Sequence, residues 1–235
     1  MKTVFITGAN RGLGKGFVEY CLNQGYKVFA GTRNPQTFDL ELIKNNNLTI
    51  VTIDISDDKS IKNAYELISS QTQSIDYLIN NAGVNKDTIT NNHKELVNEL
   101  SSLDRDKLLS MFDINTISPI ILLKQFLPLL NINPSFVINI SSNRASISDL
   151  MTNSAGNYGY RASKAALNMM TWCTLHDLPE NIKTFSVAPG SVKTDMNPTG
   201  DSLPVEQAEK IINITKTWDD DLKGRFLQFD GTLYP

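Results

Sequence analysis

The segment Thr7-Gly8-Ala9-Asn10-Arg11-Gly12-Leu13-Gly14 constrains this chain more than any other. It follows a short apolar run, Lys2–Thr7, that reads as a buried strand, and it leads into Gly12–Gln24, which has helical periodicity. Three glycines between a strand and a helix let the backbone turn tightly and approach a phosphate. The helix start then offers unpaired N–H groups and the positive end of its dipole. The spacing is Gly-x-x-x-Gly-x-Gly; no Gly-Lys-Ser/Thr closes it, so it is not a nucleoside-triphosphate P-loop. A chain that opens this way is expected to build an α/β sheet and to hold a dinucleotide on Gly8, Asn10, Arg11, Gly12, Leu13 and Gly14.

The rest of the chain continues the pattern. Tyr26–Gly31, Leu48–Ile53, Ile75–Asn80, Phe136–Ser141 and Ile182–Ala188 are apolar runs of strand length, and Arg225–Phe229 is a candidate last strand. Helical patterns cover Asp57–Thr72, Arg105–Leu130 and Tyr158–Asp177. Pro119 lies inside the second of these and should kink it or open its hydrogen-bond ladder. Asn85–Leu103 and Asn143–Asn157 are polar and read as loops, the first with a short helix. Continuous apolar strands separated by helices imply a parallel sheet covered on both faces. The expected fold is therefore an α/β, Rossmann-type, doubly wound parallel sheet in a three-layer αβα arrangement. With 235 residues, one domain over 1–235 fits better than two.

The end of the second strand bears on the nucleotide. An acidic residue there would bind a ribose 2′-hydroxyl, but the sequence is Phe29-Ala30-Gly31-Thr32-Arg33-Asn34. Arg33, with Arg11 in the glycine loop, offers guanidinium groups suited to a 2′-phosphate, which favours NADP(H) over NAD(H). Asp54, after the third strand, suits an adenine amino group or, equally, a helix N-cap before Ser56–Ser60.

Tyr160 and Lys164 stand four apart in a helical stretch and so share a face. Tyr160 is the only tyrosine with a lysine at that spacing. An ammonium about 4–5 Å away would favour the phenolate by up to roughly 3–4 kcal/mol, which lowers the phenol pKa by roughly two to three units. The fifth strand ends in Ser141-Ser142, where ligands of open α/β sheets bind and where a hydroxyl can donate to a carbonyl oxygen.

Taken in order, Thr-Gly-x-x-x-Gly-x-Gly, Asn80-Asn81-Ala82-Gly83, Asn115, Ser142, Tyr160-x-x-x-Lys164 and Pro189-Gly190 resemble the short-chain dehydrogenase/reductase family over nearly the whole chain. Tyr-Arg-x-Ser-Lys-x-Ala-Leu-Asn, Pro-Gly-x-Val-x-Thr-Asp-Met at 189–196 and Gly-Arg-Phe at 224–226 are similar to its C-factor-like carbonyl reductase branch. The resemblance implies an oxidoreductase that moves hydride between NADP(H) and a small carbonyl or alcohol. Tyr160 would protonate the carbonyl oxygen, Ser142 would orient it, and Lys164 would lower the tyrosine pKa and hold the nicotinamide ribose. Asn115 would support a water in a relay to Lys164. Asp54 and Ile55, with Asn81, Ala82 and Gly83, would line the adenosine side, and Pro189, Gly190, Val192 and Thr194 the nicotinamide end. Asn143-Arg144-Ala145 lacks the glycine usual after Ser142, which leaves Ser141 as an alternative. The same resemblance also admits a signalling or regulatory protein that binds NADP(H) without significant turnover. It further implies a homodimer or homotetramer.

Other ligands are disfavoured. A formal net charge of −3 supplies no field for nucleic acid. Cys21 and Cys173, without CxxC spacing, read as reduced, buried thiols, and His93 and His176 are too isolated for a metal site. The N-terminus is not a signal peptide and no run is long enough to cross a membrane, so a cytoplasmic protein is expected. Met196–Ser202 forms only a brief lid, and the other wall of the substrate pocket falls to Ala145–Asn157, with Ile147, Leu150 and Met151. Arg144 and Asp149 are expected to face solvent, which leaves small neutral carbonyl compounds as the substrates anticipated from sequence.

Overall fold

The computed structural model describes residues 1–85, 100–132, 134–148 and 157–235. Seven strands form one sheet: β1 Thr3–Thr7, β2 Lys27–Thr32, β3 Leu48–Thr52, β4 Tyr77–Asn80, β5 Ser135–Ile140, β6 Ile182–Ala188 and β7 Phe226–Gln228. Their order is β3-β2-β1-β4-β5-β6-β7 and every pairing is parallel. The chain winds outward from β1 to β3, returns to place β4 on the other side of β1, and then winds outward again. The strand order thus reverses between β1 and β4, and a crevice opens at their carboxyl ends.

Strand alternation divides the apolar side chains between two layers. Val4 and Ile6 of β1, Val28 and Ala30 of β2, and Tyr77 and Ile79 of β4 point to one face. There they meet Phe17 and Val18 of α1 (Gly12–Asn23) and Ile211 and Ile212 of α7 (Pro204–Ile214). Phe5, Phe29, Leu78 and Val137 point the other way, onto α3 (Asp58–Ser69) and α5 (Ser118–Phe126). The short α2 (Leu40–Ile43) lies against β3, while α4 (Arg105–Phe112) packs on α6 (Tyr158–Cys173), which covers β6.

The fold class and all seven strands agree with the sequence reading, with ends displaced by one or two residues. The helix expected over about Arg105–Leu130 is present with its ladder opened near Pro119, as expected: it is α4, a π-helical turn at Asp113–Ile117, α5, and a 3-10 turn at Leu127–Leu129. Pro119 gives the reason. It has no N–H to offer the carbonyl of Asn115 four residues back, and the ladder widens so that Ser118 N–H reaches Asp113. Likewise Tyr158–Asp177 ends its α-helix at Cys173. Cys21 is buried, but Cys173 is exposed at that helix end, contrary to expectation. His176 is exposed; His93, Asp149, Leu150 and Met151 lie outside the described residues.

Candidate active site

A cleft of about 690 Å³ runs along the carboxyl ends of β1, β2, β4, β5 and β6. It contains every residue expected to bind the nucleotide: Gly8 and Asn10 through Gly14 of the loop, Arg33, Asp54, Ile55, Asn81–Gly83, and Pro189, Gly190, Val192 and Thr194. Ser142, Tyr160 and Lys164 line it as well, whereas Asn115 is fully buried behind it. Thr32, Asn34, Asn143 and Asp195 line the same walls without having been expected there, and Arg144, expected to face solvent, lines them too. Each of the first four neighbours a residue that was chosen, and the only signal for them was that adjacency.

The glycine loop is built for close approach. Gly8 has φ +63, and a Cβ there would stand 2.9 Å from the Cα of Ala82. At Gly14 a Cβ would stand 2.1 Å from the carbonyl oxygen of Gly8 and 2.5 Å from Asn81 Nδ2. Asn81 ties this loop to β4, donating from Nδ2 to the carbonyls of Thr7 (2.9 Å) and Gly8 (3.1 Å). Arg11 occupies the N-cap of α1 and its side chain caps nothing there. The first turn of α1 therefore faces the cleft with N–H groups that no side chain satisfies, and this donor set fits a pyrophosphate.

Charges divide along the cleft. Arg33 is exposed and has no acidic partner among the described residues. Arg11 lines the cleft as a second cation, with its Nη1 3.2 Å from Asp195 Oδ2, across the cleft toward the segment after β6. Asp54 uses Oδ1 on the N–H (3.0 Å) and hydroxyl (2.7 Å) of Ser56. The N-cap of α3 is Asp57 instead, so Asp54 closes a turn and does not cap that helix.

At the other end, β5 delivers Ser141 and Ser142, and α6 delivers Tyr160 and Lys164. Ser142 lies close enough to the Tyr160 phenol to favour its phenolate, whereas Ser141 Oγ turns to the Lys164 carbonyl at 3.5 Å, so Ser142 is the serine that faces the tyrosine. Lys164 is 4% exposed and its ammonium donates to the Ile140 carbonyl at 2.7 Å. Burial lowers its pKa to about 8. The expected coupling of this lysine to the phenol is corrected: burial pushes the Tyr160 pKa up, and the opposing influences are Ser142 and the charge of Arg144. The i,i+4 spacing does put both residues on one face, but the longer Lys164 reaches past the phenol to the end of β5. Asn115, in the π-turn, accepts from Val84 N–H (2.8 Å) and donates to the Val84 carbonyl (2.8 Å) and Ser163 Oγ (3.0 Å). A Cβ on Gly83 would stand 3.1 Å from Asn115 Oδ1 and 3.3 Å from Lys164 Nζ, so both polar groups approach the same glycine.

Among the described residues no cluster of His, Cys, Asp or Glu is arranged to hold a metal, and no helix is long and apolar enough to cross a membrane. Arg144 is exposed as expected, and Ile147 is 80% exposed.

Comparison with known proteins agrees with this geometry. Residues 2–202 match the family model described as short chain dehydrogenase. A short-chain dehydrogenase of Penicillium roqueforti is 28% identical over 88% of this chain and 84% of its own. The NADPH-bound carbonyl reductase from chicken fatty liver superposes with a TM-score of 0.87 at 30% identity, covering 100% of this chain and 98% of that one. Carbonyl reductase Sniffer of D. melanogaster gives a TM-score of 0.86, also at 30% identity, over 99% and 98%. With a nucleotide cleft at the switch point and a serine, a tyrosine and a buried lysine at one end of it, the chain belongs to the short chain dehydrogenase family and is an oxidoreductase of C=O and CH–OH groups.

Proposed function

We propose that this chain is an NADP(H)-dependent carbonyl reductase acting on small carbonyl compounds. One observation carries the reading: Ser142, Tyr160 and buried Lys164 converge at one end of a cleft whose other parts are the uncapped α1 start and Arg33, which faces no acid among the described residues. The carbonyl reductase from chicken fatty liver has NADPH bound, and this supports the choice of cofactor.

The dinucleotide, when bound, supplies the hydride that the carbonyl carbon receives. Gly8, Asn10, Gly12, Leu13 and Gly14 would hold its pyrophosphate, Asp54, Ile55 and Asn81–Gly83 its adenosine, and Arg33 the 2′-phosphate. Pro189, Gly190, Val192 and Thr194, with Tyr160 and Lys164, would hold the nicotinamide riboside. Burial keeps the Tyr160 phenol protonated at neutral pH, the state from which it can give a proton to the carbonyl oxygen. The Ser142 hydroxyl donates to the same oxygen and fixes its direction. A Lys164 pKa of about 8 leaves the ammonium charged at pH 7, where it would hold the nicotinamide ribose. The Asn115 amide is committed to Val84 and Ser163, so its part is to hold the π-turn against α6; a relay water would take its bond from the Asn115 main-chain carbonyl that Pro119 cannot serve.

The cofactor assignment is tested by Arg33→Ala. A charged hydrogen bond is worth roughly 1.5–3 kcal/mol, so kcat/KM for NADPH should fall about ten- to a hundredfold while that for NADH barely changes. Equal losses with both cofactors would contradict it.

A further inference from the structure

We propose that Arg144 forms an anion subsite beside the reacting carbonyl, so that the preferred substrates are small oxo acids, carbonyl compounds that also carry a carboxylate. The inference rests on the carbonyl reductase reading and names a substrate class within it.

Arg144 stands on the 3-10 turn Asn143–Ala145, which follows directly from Ser142. The Arg144 N–H donates to Ser142 Oγ at 3.2 Å, so this turn is capped by the same serine that meets the Tyr160 phenol. On the far side, Ala145 and Ser146 are buried and the Ser146 hydroxyl donates to the Pro235 carbonyl. The Arg144 side chain therefore projects from a fixed base onto the cleft wall.

The charge balance at this end is one-sided. Among the described residues, the two acids lining the cleft are Asp54, beyond β3, and Asp195, which Arg11 already engages. Of the cleft cations, Arg33 lies past β2 and Lys164 is buried against Ile140. Arg144 is left as a guanidinium with no acidic partner among the described residues, close enough to Tyr160 to favour its phenolate. It also lies near Arg161, the residue after Tyr160, and the two like charges repel. A carboxylate on the substrate would match the planar fork of the Arg144 guanidinium. The carboxylate stays unchanged in the reaction: the carbonyl carbon gains hydride, and its oxygen gains the Tyr160 proton.

The test uses short oxo acids with the carboxylate one, two or three carbons from the carbonyl, each beside its neutral methyl ester, with NADPH. The wild type is expected to prefer at least one acid over its ester by about tenfold or more in kcat/KM, chiefly through KM. In Arg144→Ala that acid-to-ester ratio should fall about ten- to a hundredfold, in Arg144→Lys by less, and added salt should erode it in the wild type. Wild-type enzyme that treats every acid and ester alike, or an unchanged ratio in Arg144→Ala, would overturn the proposal. Failure of the wild type to reduce either member would overturn the carbonyl reductase reading itself.

Discussion

Tyr160 and Lys164 were readable from a four-residue spacing, but the electrostatics between them were not. The sequence says that the two side chains share a face; it does not say that Lys164 extends to the Ile140 carbonyl and loses its water. That burial has a measurable consequence. The folded-state pKa of Lys164 is about 8 against an ordinary value of 10.5, so between these values the unfolded chain binds the extra proton. Stability must then rise with pH across that window, with the penalty fully present below pH 8. Lys164→Met lacks this titration. The wild-type stability minus that of Lys164→Met, from urea unfolding, should increase by about 2–3 kcal/mol between pH 7 and pH 10. A difference that stays flat over this range would mean that the ammonium is not desolvated. Arg11 teaches the same lesson: its place in the loop was legible, but its partner Asp195 lies 184 positions away in sequence.

At the scale of elements, the strands were legible because all are apolar in a way that a two-faced parallel sheet demands. The break in the long helix was legible as a proline but not as a π-turn, since Pro119 could as easily have kinked the helix. The glycine loop was legible in spacing, and the structure explains why that spacing holds. Gly14→Ala puts a methyl 2.1 Å from the Gly8 carbonyl, which is main chain and cannot swing away. The strand end, the loop and α1 must then shift together. Gly14→Ala should cost at least about 1–3 kcal/mol of stability in denaturant unfolding, the usual effect of overpacking, and should weaken NADPH binding in titration. Wild-type stability with wild-type affinity would show that the loop tolerates a side chain there and that its close approach is not a requirement.

On the scale of the whole molecule, the winding of the sheet assembles the site. Reversal between β1 and β4 opens the crevice, and the ends of β1 to β6 each add one part to its lining: glycine loop, Arg33, Asp54, Asn81–Gly83, Ser142, Pro189-Gly190. No local pattern announces that convergence; it follows from right-handed crossovers applied to strands the sequence marks clearly. Arg144 was legible as a charge beside the pocket wall, but not its setting, an end of the cleft without a free acid among the described residues. The measurement that bears most directly on the central claim is single-turnover and steady-state reduction of a carbonyl substrate by Tyr160→Phe beside the wild type, with NADPH affinity measured in parallel. The ring stays and the proton donor goes, so turnover should fall by about 10²–10⁴ while NADPH still binds. A Tyr160→Phe enzyme that keeps more than about a tenth of wild-type turnover would contradict the account, because a lost general acid costs far more than that.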